Sequence, residues 1–223
     1  MLLPKKPLLV LLTFAVVAFF AAPAKADFVP IPQPNAAYTS TTTLIPIVGA
    51  DFTTTTSVSD GTLTVNFSTS VERRTVPGSW GTWGSPPFTE GNSTRLFFCS
   101  NCTTLTLNLS SGVRTFGFEM EPNAFGVFPM TAQFFNGATL IGSISQNVDG
   151  NAGARLFAAL TNTDTFNRIV ITTSADALGF GFARIRYGAG GPAVPEPATL
   201  LLLGSGLVGL ATKFRKGRKS NTE

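Results

Sequence analysis

The chain has 223 residues, 43% of them hydrophobic and only 13% charged, with 20 Phe; this is too apolar for a disordered chain. It contains no His, which excludes Ser-His-Asp and Cys-His nucleophilic triads and His-based metal sites. The net charge of +4 belongs to the ends: between Asp27 and Val194 ten acidic residues face eight basic ones, all Arg. That body has no basic run, so nucleic acid is not an expected partner.

Met1 to Pro7 carries Lys5 and Lys6, and Leu8 to Phe20 is an apolar run with Thr13 as its one polar residue. Ala24-Lys25-Ala26 then places small residues on either side of one position. A basic start, a short apolar stretch and a small-residue site describe a secretory signal peptide over 1–26, cut after Ala26 by signal peptidase. An uncleaved anchor is the alternative, but such a run falls short of the roughly 20 residues that span a bilayer. The mature chain then begins at Asp27, in an oxidising compartment.

Residues 27–193, about 165 in all, suffice for one domain with a real core. Asp27 to Asn35 holds Pro30, Pro32 and Pro34 and reads as an extended linker. Thr39 to Thr56 is Thr-rich, interrupted by Pro46 and Gly49. Period-2 runs follow. Leu63, Val65 and Phe67 alternate with polar residues, as do Leu105, Leu107 and Leu109. Within Val113 to Glu121, Phe116, Phe118 and Met120 share one face, with Thr115, Glu119 and Glu121 on the other. Met130 to Phe135 and Thr139 to Ser145 flank Asn136-Gly137, a strong hairpin signal. Ala154 to Leu160 could form a short helix. Phe166 to Thr172 and Gly179 to Tyr187 give two more strands. The expected fold is all-β, an antiparallel jelly-roll-like sandwich closed by the Gly/Pro linker 188–194.

At the far end, Val194-Pro195-Glu196-Pro197 precedes an apolar run from Ala198 to Ala211, and Lys213, Arg215, Lys216, Arg218 and Lys219 follow at once. Physically this is a marginal single transmembrane helix over 198–212 with a stop-transfer cluster at 213–219. As a helix the run reaches only about 21 Å against a hydrocarbon core of roughly 30 Å, so snorkelling Lys and Arg must cover the difference. Positive charge after the run holds that end in the cytoplasm and the body outside.

The ordered triplet over 194–223 resembles the PEP-CTERM sorting signal, also catalogued as an ice-binding-protein C-terminal motif. The resemblance implies a Gram-negative bacterium with an exopolysaccharide-linked export system. It also implies recognition and cleavage by an exosortase near Pro195-Glu196-Pro197. The body is similar, more loosely, to domains found upstream of such tails, through Phe116-Gly117-Phe118-Glu119, Leu140-Ile141-Gly142-Ser143 and Gly179-Phe180-Gly181-Phe182 running to Arg186-Tyr187-Gly188. Many such domains carry acids just before the final Tyr-Gly; this chain has Ala183-Arg184-Ile185-Arg186 there instead.

Four constellations in the body could carry chemistry. Cys99 and Cys102 form a C-x-x-C, which in an exported protein most simply closes one disulfide. A redox pair usually opens a helix, and here a strand follows. Zinc would need two further ligands, so no metal is expected. Trp80 and Trp83 lie in a Gly/Pro-rich loop, Pro77 to Pro87, where they either stack on sugar rings or fold back as a lid over the core. Glu119 and Glu121 share one strand face. They are a candidate pair for glycoside hydrolysis, but alternation alone predicts a solvent face, paired with Arg184 and Arg186 of matching spacing. Asp149-Gly150-Asn151 offers too few oxygens for a calcium loop and reads as a turn.

The sequence thus predicts a non-enzymatic, exported cell-surface or extracellular-matrix protein without cofactor. It passes the secretion machinery, resides transiently in the inner membrane, meets an exosortase-type enzyme and associates with exopolysaccharide. A lectin-like carbohydrate-binding module is the alternative, and a secreted glycoside hydrolase a more distant one.

Overall fold

Alternating Thr, Val, Leu and Phe positions build twelve strands in the computed structural model, which describes residues 28–188. The expected signal peptide at 1–26 and the tail at 194–223, with its apolar run, lie outside the described residues. The first six strands are β1 (Val29–Ile31), β2 (Thr43–Leu44), β3 (Thr54–Ser59), β4 (Thr64–Thr75), β5 (Arg95–Ser100) and β6 (Thr104–Val113). Then come β7 (Thr115–Pro122), β8 (Val127–Asn136), β9 (Thr139–Asp149), β10 (Arg155–Leu160), β11 (Phe166–Thr173) and β12 (Gly179–Gly188). One short helix, α1 (Ala36–Thr41), is capped by the Asn35 side chain, which accepts from the Tyr38 N–H.

Every pairing is antiparallel, in the order β1-β10-β7-β12-β5-β4-β6-β11-β8-β9, with β2 added to β12 and β3 to β4. Long β4 turns the corner: Val65–Phe67 pairs with β6, whereas Glu72–Thr75 pairs with β5. The sheet therefore curls on itself. Its two ends approach through Phe28, which meets Phe134 of β8 at 5.4 Å and Phe166 of β11 at 6.1 Å. Gly142 of β9 has to be Gly, because a Cβ there would stand 2.2 Å from the Phe28 ring.

The enclosed core is built of aromatic rings. Phe97, Phe116, Phe118, Phe134, Phe157, Phe166, Phe180 and Phe182 are all fully buried, each worth about 1.5–3 kcal/mol relative to exposure. Phe182 sits centrally, with ring contacts to Phe67, Phe97, Phe118 and Phe180. The Cys99–Cys102 disulfide closes the turn from β5 into β6, with Cα atoms 5.5 Å apart and Asn101 taking the positive φ that Asn tolerates.

Three local expectations change. The Pro-rich start is not a free linker: Val29–Ile31 docks as an edge strand on β10, and Pro is tolerated in an edge strand where the N–H it lacks would have faced solvent. Ala154 to Leu160 is not helical, since Arg155–Leu160 is sealed into the sheet between β1 and β7. The hairpin forms one position later than Asn136-Gly137. Asn136 pairs with Thr139, leaving Gly137 and Ala138 as the turn, and the Asn136 side chain donates instead to Asp164 at 2.6 Å.

Candidate functional site

Strand β7 is buried at every position. One face feeds Phe116, Phe118 and Met120 into the core. The other carries Thr115, Gly117, Glu119 and Glu121, and it too is covered. Tyr38 of α1 lies over Gly117 and Ala158 so closely that a Cβ on Gly117 would stand 2.5 Å from the Tyr38 hydroxyl. The loop joining β4 to β5, residues 76–94, covers the rest.

Glu119 and Glu121 are therefore not on a solvent face, as alternation predicted; both are 0% exposed. The Trp83 indole N–H donates to Glu119 Oε2 at 2.9 Å, and the Trp80 N–H donates to Glu121 Oε2 at 2.7 Å. The backbone N–H of Glu90 donates to Glu119 Oε1 at 2.5 Å, and that of Gly153 to Glu121 Oε1 at 3.2 Å. Nor do Arg184 and Arg186 pair with these carboxyls. A β-bulge sets Arg184 and Ile185 of β12 opposite the single residue Phe118, and this shift carries both arginines away from the Glu pair. Arg186 instead grips Glu90 with both arms, at 2.6 and 2.9 Å, which ties the loop down a second time. Arg155 stacks on Phe88 at 3.7 Å as a third tie.

Burial pushes both carboxyls up to about 7, against the pull of their N–H donors. A carboxyl raised on folding binds its proton more tightly in the native state. Its contribution is complete below the unfolded value of about 4.5 and is lost as pH rises through about 7. The chain has no His to titrate in that window. The thermal midpoint should therefore fall between about pH 5 and pH 8. Each tenfold preference is worth about 1.4 kcal/mol, so the change should reach a few kcal/mol. Thermal melts of wild type and Glu119→Gln/Glu121→Gln across this range check it; the double variant should lose the slope.

Trp83 is 3% exposed and packs with Val76, Leu96, Ala154 and Ala183. It offers no ring face to a ligand. Trp80 is different: half-buried, it leans on Phe98 at a ring distance of 5.2 Å and lines a cleft of about 200 Å³ with Arg74, Ser79, Thr82, Phe98 and Phe125. Phe125 is 77% exposed. The Arg74 guanidinium lies 5.6 Å from the Phe98 ring and 4.4 Å from that of Phe52, itself 62% exposed. Aromatic faces with interleaved polar groups thus run along an open cleft.

Backbone strain gathers around it. Phe52, Ala152 and Leu178 all hold φ between +54° and +63°, which non-Gly residues rarely adopt. Phe52 faces Arg74, Ala152 donates its N–H to the Thr82 hydroxyl, and the Leu178 carbonyl accepts from the Asn123 side chain. Such residues cluster at ligand clamps. The sequence exposed the Trp pair but not Phe52 or Phe125. Their one signal was large apolar residues in turn-like context, Ala50-Asp51-Phe52 and Asn123-Ala124-Phe125-Gly126.

A bond-cleaving carboxyl pair must flank its substrate, whereas Glu119 and Glu121 lie beneath the loop, committed to N–H donors. Asp149 forms a tight turn in which its carboxylate accepts from the Asn151 N–H at 2.9 Å. Among the described residues no group of three or more His, Cys, Asp and Glu could hold a metal ion, and no helix is long and apolar enough to cross a membrane.

Residues 193–216 match the family model for the PEP-CTERM protein-sorting motif, so the chain carries that signal at its C-terminal end. A search of curated proteins found no match. Among solved structures the chain is similar to a point mutant of a family 29 carbohydrate binding module, at 13% identity and a TM-score of 0.33, covering 67% of this chain and 93% of that one. A family 29 module from Piromyces equi matches at 11% identity and a TM-score of 0.32, covering 66% of this chain and 89% of its own. Another mutant module, complexed with mannohexaose, matches at 9% identity and a TM-score of 0.28, covering 75% and 94%. At these values the likeness goes no further than all-β character.

Proposed function

We propose that this chain is a non-enzymatic protein of a Gram-negative cell surface or extracellular matrix, sorted through its C-terminal signal and holding exopolysaccharide at the Trp80 cleft. The observation that carries the sorting part is the ordered tail, with Val194-Pro195-Glu196-Pro197, an apolar run and Lys213, Arg215 and Lys216 within the matched motif, and Arg218 and Lys219 just after it. Signal peptidase removes 1–26, the inner membrane holds the precursor, and an exosortase-type enzyme processes it near Pro195-Glu196-Pro197. The body, 27–193, is a jelly-roll-like sandwich in this reading, supported by the curled antiparallel sheet.

Sugar binding is the chemistry the cleft supports best. Pyranose rings present apolar C–H faces that stack on aromatic rings, and hydroxyl rims that need donors and acceptors. Trp80, Phe98 and Phe125 supply the first; Arg74, Ser79 and Thr82 supply the second. The Glu121 bond to the Trp80 N–H holds the indole in place before any ligand arrives, which lowers the ordering cost of binding. Trp83 serves as the buried pin of the same loop, so the stacking role falls to Trp80 alone.

The test is affinity electrophoresis of the exported protein in gels containing the host's own exopolysaccharide. Trp80→Ala should abolish most of the retardation, a loss of about 1–3 kcal/mol on the scale of one stacked aromatic ring, while leaving the fold intact because Trp80 is only half-buried. Retardation equal to wild type in Trp80→Ala would remove the cleft from the account without touching the sorting reading.

A further inference from the structure

Across Asp51, which bonds both Ser79 of the Trp80 cleft and Arg95, lies a second recess, of about 190 Å³, that the sorting and stacking reading does not use. Its volume is far above the roughly 10–15 Å³ that one water requires. One wall is the segment Leu44–Ile47, whose Ile45 and Ile47 side chains pack into the core while Leu44 and Pro46 stay accessible; the other is made by Thr94, Arg95 and Arg184. The bulge of β12 creates the pairing of these walls. The Ile185 carbonyl accepts the Ile45 N–H at 2.9 Å, which fastens the apolar segment beside Arg184.

Two features of the arginines stand out. Arg184 holds φ +52°, a backbone conformation where Gly would be free of strain and Arg is not. In addition, Nε of both Arg95 and Arg184 is buried without a hydrogen-bond partner, although a buried donor left unpaired is destabilising. Their remaining arms are only partly engaged. Arg184 donates through Nη2 to the Ser93 carbonyl at 3.1 Å, and its Nη1 stands 4.0 Å from Glu90. Arg95 uses Nη2 on the Gly49 carbonyl and on Asp51, the latter at 3.1 Å.

The charge balance points the same way. Asp51 answers Arg95, but Glu90 is already held by both arms of Arg186. Glu119, the other carboxyl whose field Arg184 senses, commits its oxygens to Trp83 and to the Glu90 N–H. Arg184 is thus left without a dedicated counter-charge. A strained, under-paired cation on a polar wall facing an apolar wall describes a receptor for an acid group attached to an apolar face.

We propose that this recess binds the carboxylate of an acidic sugar: the planar guanidinium of Arg184, backed by Arg95, takes the carboxylate, and the segment 44–47 covers the sugar ring. A carboxylate matches the guanidinium fork bidentately, which a Lys-lined site would not provide. The carboxylate can come from a uronic-acid polymer or from a free small acid.

Calorimetric titration of the full chain, purified in detergent, with polygalacturonate, free galacturonate and neutral dextran tests this. Polygalacturonate should bind, and Arg184→Gly should weaken it about tenfold or more, as should Arg95→Gln. Arg184→Gly should melt no lower than wild type, because Gly relieves the strain at φ +52°. Arg168→Gln removes the same charge from β11 and should change affinity less than twofold. Galacturonate bound with the same Arg184 dependence assigns a free acid as sufficient; binding of the polymer alone assigns the polymer. The proposal is overturned if Arg184→Gly binds as wild type, if Arg168→Gln loses as much, or if neither acid binds. Trp80→Ala should leave the Arg184-dependent part of binding in place, including any binding of free galacturonate, so failure here and failure at the Trp80 cleft are separable.

Discussion

Trp83→Ala should be the most destabilising single substitution in the loop, at about 3–5 kcal/mol, the range for emptying a buried aromatic site. The ring is almost wholly enclosed by Val76, Leu96, Ala154 and Ala183. Its loss also strands the Glu119 oxygen that accepts the indole N–H, and a buried acceptor without a donor adds a further cost. Because domains of this size are stable by only about 5–15 kcal/mol, urea denaturation should show a large drop in midpoint. Trp80→Ala should fall less: it too strands a buried oxygen, that of Glu121, but its ring is partly in solvent and leaves a smaller cavity. The two tryptophans therefore separate by readout: Trp83 moves stability and Trp80 moves sugar retention. Equal stability losses for the two would show that the loop is not pinned as described.

Most strands were legible because their residues obey one rule at a time. Leu105, Leu107 and Leu109 alternate with polar residues and land in the core, as do Phe116, Phe118 and Met120. The disulfide was legible for a similar reason, since two cysteines three apart, leading into a strand, have little else to do. Glu119 and Glu121 were misread because alternation assigns a face but not what covers it. Their cover comes from tryptophans 36 and 41 residues away in sequence, in a loop with no periodicity. The bulge at Arg184 was equally invisible. It moves Arg184 and Arg186 off the Glu pair and towards Glu90, and nothing in Ala183-Arg184-Ile185-Arg186 signals a left-handed residue. Tyr38 and α1 were missed because a six-residue helix carries too little pattern to detect.

Altering the tail should have the largest biological effect. Lys213, Arg215, Lys216, Arg218 and Lys219 each resist entry into the hydrocarbon by about 2.5–3.5 kcal/mol. In the proposed sorting reading they together hold the precursor with its body outside until it is cut. Replacing all five with Ser should let the tail slip through and release uncut protein. Replacing Pro195, Glu196 and Pro197 with Ala should remove the processing handle and leave uncut protein in the inner membrane. Fractionated cells blotted for the body distinguish the two: full-size protein outside in the first case, full-size protein in the inner membrane in the second.

The most direct test of tail-dependent sorting is mass spectrometry of both termini of the protein recovered from the cell surface or matrix. The account predicts a chain that begins at Asp27 and ends near Pro195-Glu196-Pro197, without the basic cluster. Wild-type surface protein that still carries residues 198–219, or both tail variants reaching the surface at the wild-type size and yield, would contradict it.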